Sequence, residues 1–284
     1  MSSILTNNSA IVALQTLKTI NSSLSKTQAE IATGKSVANA KDNAAVWAIS
    51  KVMETDQSAA KTIQSNLNVA DATIATARTG AESGANLLQQ AKDLALGATV
   101  STADFTKIDT DIKEKFKQIG AIISGTQMNG VNLLSTGGEL SVVGSLDRTN
   151  GTAETTANTI TVASVDLETE LGIDLATGES SLYDATAITD TTTAAAAITA
   201  IETMIEASVN GAATLGSSSK RVSDQADFVG KLADSLKAGI GSLVDADMEE
   251  ASARLQALQT QQQLGIQSLS IANQAPSAIM SLFR

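Results

Sequence analysis

The chain has 284 residues, 43% of them hydrophobic but only 2% aromatic, with no histidine, no cysteine and a formal net charge of −11. Imidazole and thiol chemistry is therefore excluded, zinc ligation by His or Cys with it, and so acidic a chain offers no basic face to a nucleic acid. The apolar share is mostly Ala, Val, Ile and Leu, and the single proline, Pro276, leaves almost the whole chain free to be helical.

The start, Met1 to Leu14, has no basic cluster followed by an unbroken apolar run, so no cleaved signal peptide is expected. No apolar stretch approaches the ~20 residues needed to span a bilayer. Helical spacing runs from Ile4 to Ile31 through Ile11, Leu14, Leu17 and Leu24. From Ile49, steps of four and three pass through Met53, Asp56, Ala60, Ile63, Leu67, Ala70, Ile74, Ala77, Ala81, Gly84, Leu88, Ala91 and Ala95, with only Asp56 and Gly84 poor seam residues. Such a seam belongs to a long Ala-rich helix lying against another helix. Gly97 and the polar run Thr99–Thr102 end it, and Asp104 is placed to cap a third helix. That helix carries Phe105, Ile108, Ile112, Phe116, Ile119 and Ile123 on one face.

The texture changes in the middle. Leu140–Leu146 and Thr159–Leu167 mix β-branched residues with Thr and Ser around Asn150-Gly151, which reads as a small β-hairpin near 139–167. Thr186–Thr193 reads as a polar, low-complexity loop. A second long seam then follows Ile198, Ile201, Ile205, Ala212, Leu215, Val222, Ala226, Val229, Ala233, Leu236 and Ile240. It slips by one residue near Gly239 and Gly241, which suggests a joint there. The terminal seam takes up Val244, Met248, Ala251, Leu255, Leu258, Gln262, Gly265, Leu269, Ala272, Pro276, Ile279 and Phe283. The expected fold is thus mainly α: long antiparallel helices and a terminal coiled coil, with a small β-hairpin region. Seams maintained to both chain ends imply that those ends bury themselves against something.

Several ordered motifs resemble bacterial flagellin. Ile4-Leu5-Thr6-Asn7-Asn8-Ser9-Ala10, Ile31-Ala32-Thr33-Gly34-Lys35 and Asn39-Ala40-Lys41-Asp42-Asn43-Ala44-Ala45 are similar to the family's opening. Gln127-Met128-Asn129-Gly130-Val131-Asn132-Leu133-Leu134 resembles the stretch that closes its third helix. Val244-Asp245-Ala246-Asp247, Ala272-Asn273-Gln274-Ala275-Pro276 and Ser281-Leu282-Phe283-Arg284 resemble its end.

The resemblance implies a self-assembling filament subunit without catalysis or cofactor. Residues 1–43 with 245–284 would form an inner coiled coil lining the filament lumen. Residues 44–244 would form an outer helical domain, and the short connector 180–195 would replace large variable domains. Self-assembly would then rest on Ile4, Ile11, Leu14, Leu24, Leu255, Leu258, Leu269, Ile279, Leu282 and Phe283. The implied partners are other copies, flagellar cap and hook-associated proteins and an export chaperone; neither nucleic acid nor membrane is among them. The implied location is extracellular, reached by type III export. A hook–filament junction protein shares these ends, whereas a chemoreceptor-like signalling hairpin would need a transmembrane segment.

Three smaller features carry specific expectations. Leu88-Gln89-Gln90-Ala91-Lys92-Asp93-Leu94 is similar to a segment that an animal innate-immune receptor reads in some flagellins. Those have Arg in place of Gln90 and Glu in place of Asp93, so of the segment's Gln89, Gln90 and Asp93 the last two argue against receptor activation. Asp245-x-Asp247-x-Glu249 opens like a calcium loop but has Glu250 where the loop needs glycine, and so reads as a helix start. Gln256, Gln259, Gln261, Gln262, Gln263 and Gln267 crowd one terminal helix, where uncharged amides can bond between subunits. Trp47, the one tryptophan, reads as a packing anchor at the domain junction.

Overall fold

The computed structural model describes residues 7–149, 152–154 and 158–282, with side chains omitted at 147–149, 152–154 and 275–282. The elements run α1 (Asn8–Thr33), α2 (Ala44–Gly97), α3 (Phe105–Gly125), β1 (Glu139–Val143), β2 (Asp147–Thr149), β3 (Thr152–Glu154), β4 (Thr159–Ala163), α4 (Leu167–Glu170), α5 (Ser181–Asp184), α6 (Thr191–Val244) and α7 (Met248–Leu282). They fall into two compact units: Gln57–Ala233, and Met1–Asp56 with Asp234–Arg284.

The first unit has a core built mainly from small and branched side chains. The α2 seam lies buried at Ala60, Ile63, Leu67, Ala70, Ile74, Ala77, Ala81, Leu88, Ala91 and Ala95, as its spacing requires. Alanine fills most of these positions, and α6 lies alongside α2. The two run antiparallel, with Asp71 accepting from Ser219 Oγ at 2.6 Å and Lys92 paired to Glu202 at 2.8 Å. On α6 the fully buried line is Ala194, Ala197, Ile201, Met204, Ser208 and Leu215. The expected seam is buried at Ile201, Leu215, Val222, Ala226, Val229, Ala233 and Ile240, while Ile198, Ile205 and Ala212 flank it half-buried. The α3 face is as expected: Asp104 accepts from Lys107 N, and Ile112, Phe116, Ile119 and Ile123 are buried.

The expected hairpin is present. β1 pairs antiparallel with β4 in the register Leu140↔Val162 and Val142↔Ile160, and β2 with β3 beyond them. Helix α6 holds this sheet through side chains, Arg221 donating to Thr161 O at 2.8 Å and Gln225 to Gly144 O at 2.8 Å. The turn residues Asn150-Gly151 lie outside the described residues.

Residues 165–188 form a strap whose packing the sequence pattern does not betray. Val165 N and Glu168 N donate to Leu133 O and Leu134 O, while Leu167, Leu171 and Ile173 enter the core. Gly178, at φ +72°, crosses α3 where a side chain would meet Lys117 Cα at 2.8 Å. Tyr183 stacks on Phe116 with ring centroids 5.0 Å apart. The polar run Thr186–Thr193 is only partly loop. Asp190 accepts from Thr192 N and Thr193 N, and α6 begins at Thr191. A carboxylate offered to unpaired first-turn amides outweighs the poor helix propensity of three threonines.

Asp109 is the strap's anchor. Its carboxylate accepts from Tyr183 Oη at 2.9 Å and Ile188 N at 3.1 Å, and it pairs with Lys113 at 3.1 Å. Burial, and then the bond to Asp109, push the Tyr183 phenol far above its ordinary range; the bond to Asp109 raises Lys113 as well. Both folded-state values lie above the unfolded ones. Their stabilisation is therefore complete below an unfolded tyrosine's pKa of about 10 and is lost as pH rises beyond it. Tyr183 is the only tyrosine. In an alkaline titration its tyrosinate absorbance should appear only as helical circular dichroism is lost. Tyrosinate forming near pH 10 with the helices intact would contradict the buried anchor.

Helix α6 continues unbroken through Gly239 and Gly241 to Val244, and the break comes at Asp245–Asp247 instead. The glycines admit neighbours rather than end the helix: a Cβ at Gly239 would meet Met53 Cε at 2.8 Å. Asp247 accepts from Glu249 N and Glu250 N, so the calcium-like motif is a helix start.

Candidate functional site

The second unit centres on α1 and α7, which pair antiparallel although their sequences lie at opposite chain ends. Asn7 caps α1 by accepting from Ala10 N. Gly34, at φ +69°, ends it with its N–H on Glu30 O. The pairing starts beside that end, where Ala246 N donates to Gly34 O and Ser36 N to Val244 O at 2.7 Å. It continues through Gln262 Nε2, which donates to Asn21 Oδ1 at 2.7 Å, and through Gly265, whose missing side chain leaves room for Leu17. The last contact described is Asn7 Nδ2 to Ala272 O, also 2.7 Å.

The paired face of α7 is the one its spacing marks. Ala251 is buried, and Leu255, Leu258, Gln262, Gly265, Leu269 and Ala272 are half-buried. On α1 the facing line is Ala10, Ala13, Leu17, Ile20, Leu24 and Thr27. Leu24 sits on this line. Ile11 and Leu14 do not: each is one residue beyond a seam position, turned about 100° away, and 56% and 58% exposed. The paired line uses the small residues Ala10 and Ala13 beside the larger, exposed Ile11 and Leu14. Ile4 and Phe283 lie outside the described residues, as do the side chains of Ile279 and Leu282.

This seam is thin. Among the described residues of α1 and α7, only Thr27 and Ala251 are buried. Beyond the seam the surface is unusually apolar: Ile11, Val12 and Leu14 on α1, with Leu264, Ile266 and Ile271 on α7, are all exposed. A shallow groove lined by Val12, Ala13, Ile20, Leu264 and Gly265 runs between the helices. No charged residue occurs in 2–17 or in 255–283, although the chain carries −11 overall. A charge-free, apolar-studded pair of helices can approach another like pair without desolvating ions. The remaining glutamines of α7 face outward, uncharged and able to donate and accept.

The other singled-out residues have structural partners. Gln89 Nε2 donates to Asp93 at 3.3 Å, and Lys115 donates to Gln90 at 3.0 Å, on the exposed side of α2. Trp47 is half-buried in the first turn of α2. Lys51, and then Lys35, hold the Glu54 carboxyl below its usual range beside the Lys35↔Asp245 bridge.

Comparison with known proteins points the same way. Residues 4–138 match the family described as bacterial flagellin N-terminal helical region, and residues 198–283 match bacterial flagellin C-terminal helical region. The chain is 38% identical over 291 aligned residues to Flagellin FljM of Caulobacter vibrioides, covering all of this chain and 99% of that one. It is 37% identical to a flagellin of Brucella melitensis, with both chains covered in full. Flagellin A of Rhizobium meliloti is 33% identical over an alignment of 395 residues. The segment between the two matched regions holds the β-hairpin and the strap.

Proposed function

The chain belongs to the bacterial flagellin family, and from that premise we propose how its two ends serve assembly. It is a structural subunit of the bacterial flagellar filament, self-assembling into a helical tube for motility. Residues 1–43 with 245–284 form the inner coiled coil that lines the lumen, and 44–244 form the outer helical domain. The observation that carries this reading is the α1–α7 pair, thinly sealed within one chain and apolar on its outward faces. The same side chains that stay wet in one subunit become the contact between subunits. The role is structural and requires no bound cofactor. Export proceeds through the flagellar type III apparatus with a chaperone, and cap and hook-associated proteins meet the filament at its ends, outside the cell.

Charge sets the conditions of growth. Subunits carrying −11 each repel as they stack, so screening favours addition, and sulfate also strengthens apolar burial. Purified protein should form long filaments, faster as sulfate is raised within the soluble range. Electron microscopy showing no filaments at any sulfate concentration, or growth that slows steadily with sulfate, would overturn this reading.

A further inference from the structure

We propose that Asn7 sets the register of the two terminal helices by binding the one backbone carbonyl that Pro276 leaves without its helical donor. In an α-helix the carbonyl of residue i accepts from the N–H of residue i+4. Pro276 has no N–H, so Ala272, four residues earlier in α7, lacks that partner. The side chain of Asn7 supplies it: Nδ2 donates to Ala272 O at 2.7 Å, across 265 positions of sequence. Its other end is also engaged, Oδ1 accepting from Ala10 N at 3.1 Å to cap α1. One amide thus begins one helix and fastens it to the other.

The seam needs such a mark. Ala10, Ala13, Leu17, Ile20 and Leu24 repeat with heptad spacing, and an apolar repeat facing another is poorly defended against sliding by one repeat. A polar contact at a single position specifies register in helix pairs for this reason. Gln262 to Asn21 is a second polar contact, but it is exposed, and both amides can bond to water instead. A proline-freed carbonyl occurs once, because the chain has one proline. With no charge in 2–17 or 255–283, no ion pair competes for this duty.

The proposal rests on assembly through these helices, and the test separates the two ideas. Full-length N7S keeps an N-cap of similar quality, but its hydroxyl cannot reach Ala272. The critical concentration for growth from seeds should rise about tenfold, the effect of one hydrogen bond lost with its acceptor left unpaired. P276A returns the N–H to Ala272, so adding N7S to P276A should change the critical concentration less than about twofold. An equal effect of N7S in both backgrounds, or none in the wild type, overturns the pin. A second readout does not depend on polymerisation. The chain lacks cysteine, so a disulfide between L17C and G265C reports the register, and its yield should fall several-fold with N7S. Unchanged yield overturns the proposal. Wild-type chains that never polymerise would defeat the filament reading, while the disulfide would still judge the pin.

Discussion

Ile271→Asp should abolish filament growth while leaving the melting of the isolated subunit nearly unchanged, and Leu264→Asp should do the same. The two effects separate because the residues are exposed in the single chain, Ile271 by 69% and Leu264 by 58%. Surface substitutions away from caps and networks usually change stability by no more than about 0.5 kcal/mol. Covering an Ile or Leu between subunits contributes roughly 1.5–3 kcal/mol. Placing a carboxylate there instead removes that gain and adds the cost of burying an unpaired charge, in a region that has no cation between residues 255 and 283. The loss is repeated at every subunit of the polymer, so elongation should fail rather than slow. Seeded growth followed by sedimentation reads the first effect, and calorimetry of the unpolymerised protein reads the second. A variant that polymerises normally shows that these faces are not the contact; one that melts far below wild type shows that they belong to the fold.

Sequence pattern made the helices legible and the hydrophobic lines only partly so. The α2, α3 and α7 seams follow spacing because one stripe of apolar residues dominates each. Helix α1 carries two stripes, and the weaker-looking one, with Ala10 and Ala13, is the paired face. On α6, Ala197 and Ser208 occupy core positions that hydrophobicity would give to their neighbours Ile198 and Val209. Close helix approach reverses that ranking, because a methyl or hydroxymethyl fits where a larger branch does not. The glycines at 239 and 241 read as a joint but serve proximity to Met53 and the Asp245 turn. Nothing local foretells the strap: Tyr183 and Ile188 are held by Asp109, more than seventy residues earlier. The Asn7–Ala272 contact was equally hidden, although its cause, a proline four residues on, stands in the sequence.

The central claim is that the middle of the chain is stable by itself while the ends acquire stability from neighbouring subunits. Ordering a backbone costs about 1–2 kcal/mol per residue, and helices gain most of their stability from packing. Helices α2, α3 and α6 bury continuous seams, whereas α1 and α7 bury little of theirs against each other. Amide hydrogen exchange on the monomer and on the filament compares the two directly. The account predicts that amides of α1 and α7 exchange rapidly in the monomer and become strongly protected in the filament, while the buried stretches of α2, α3 and α6 are protected in both. Strong protection of α1 and α7 in the isolated monomer would contradict it.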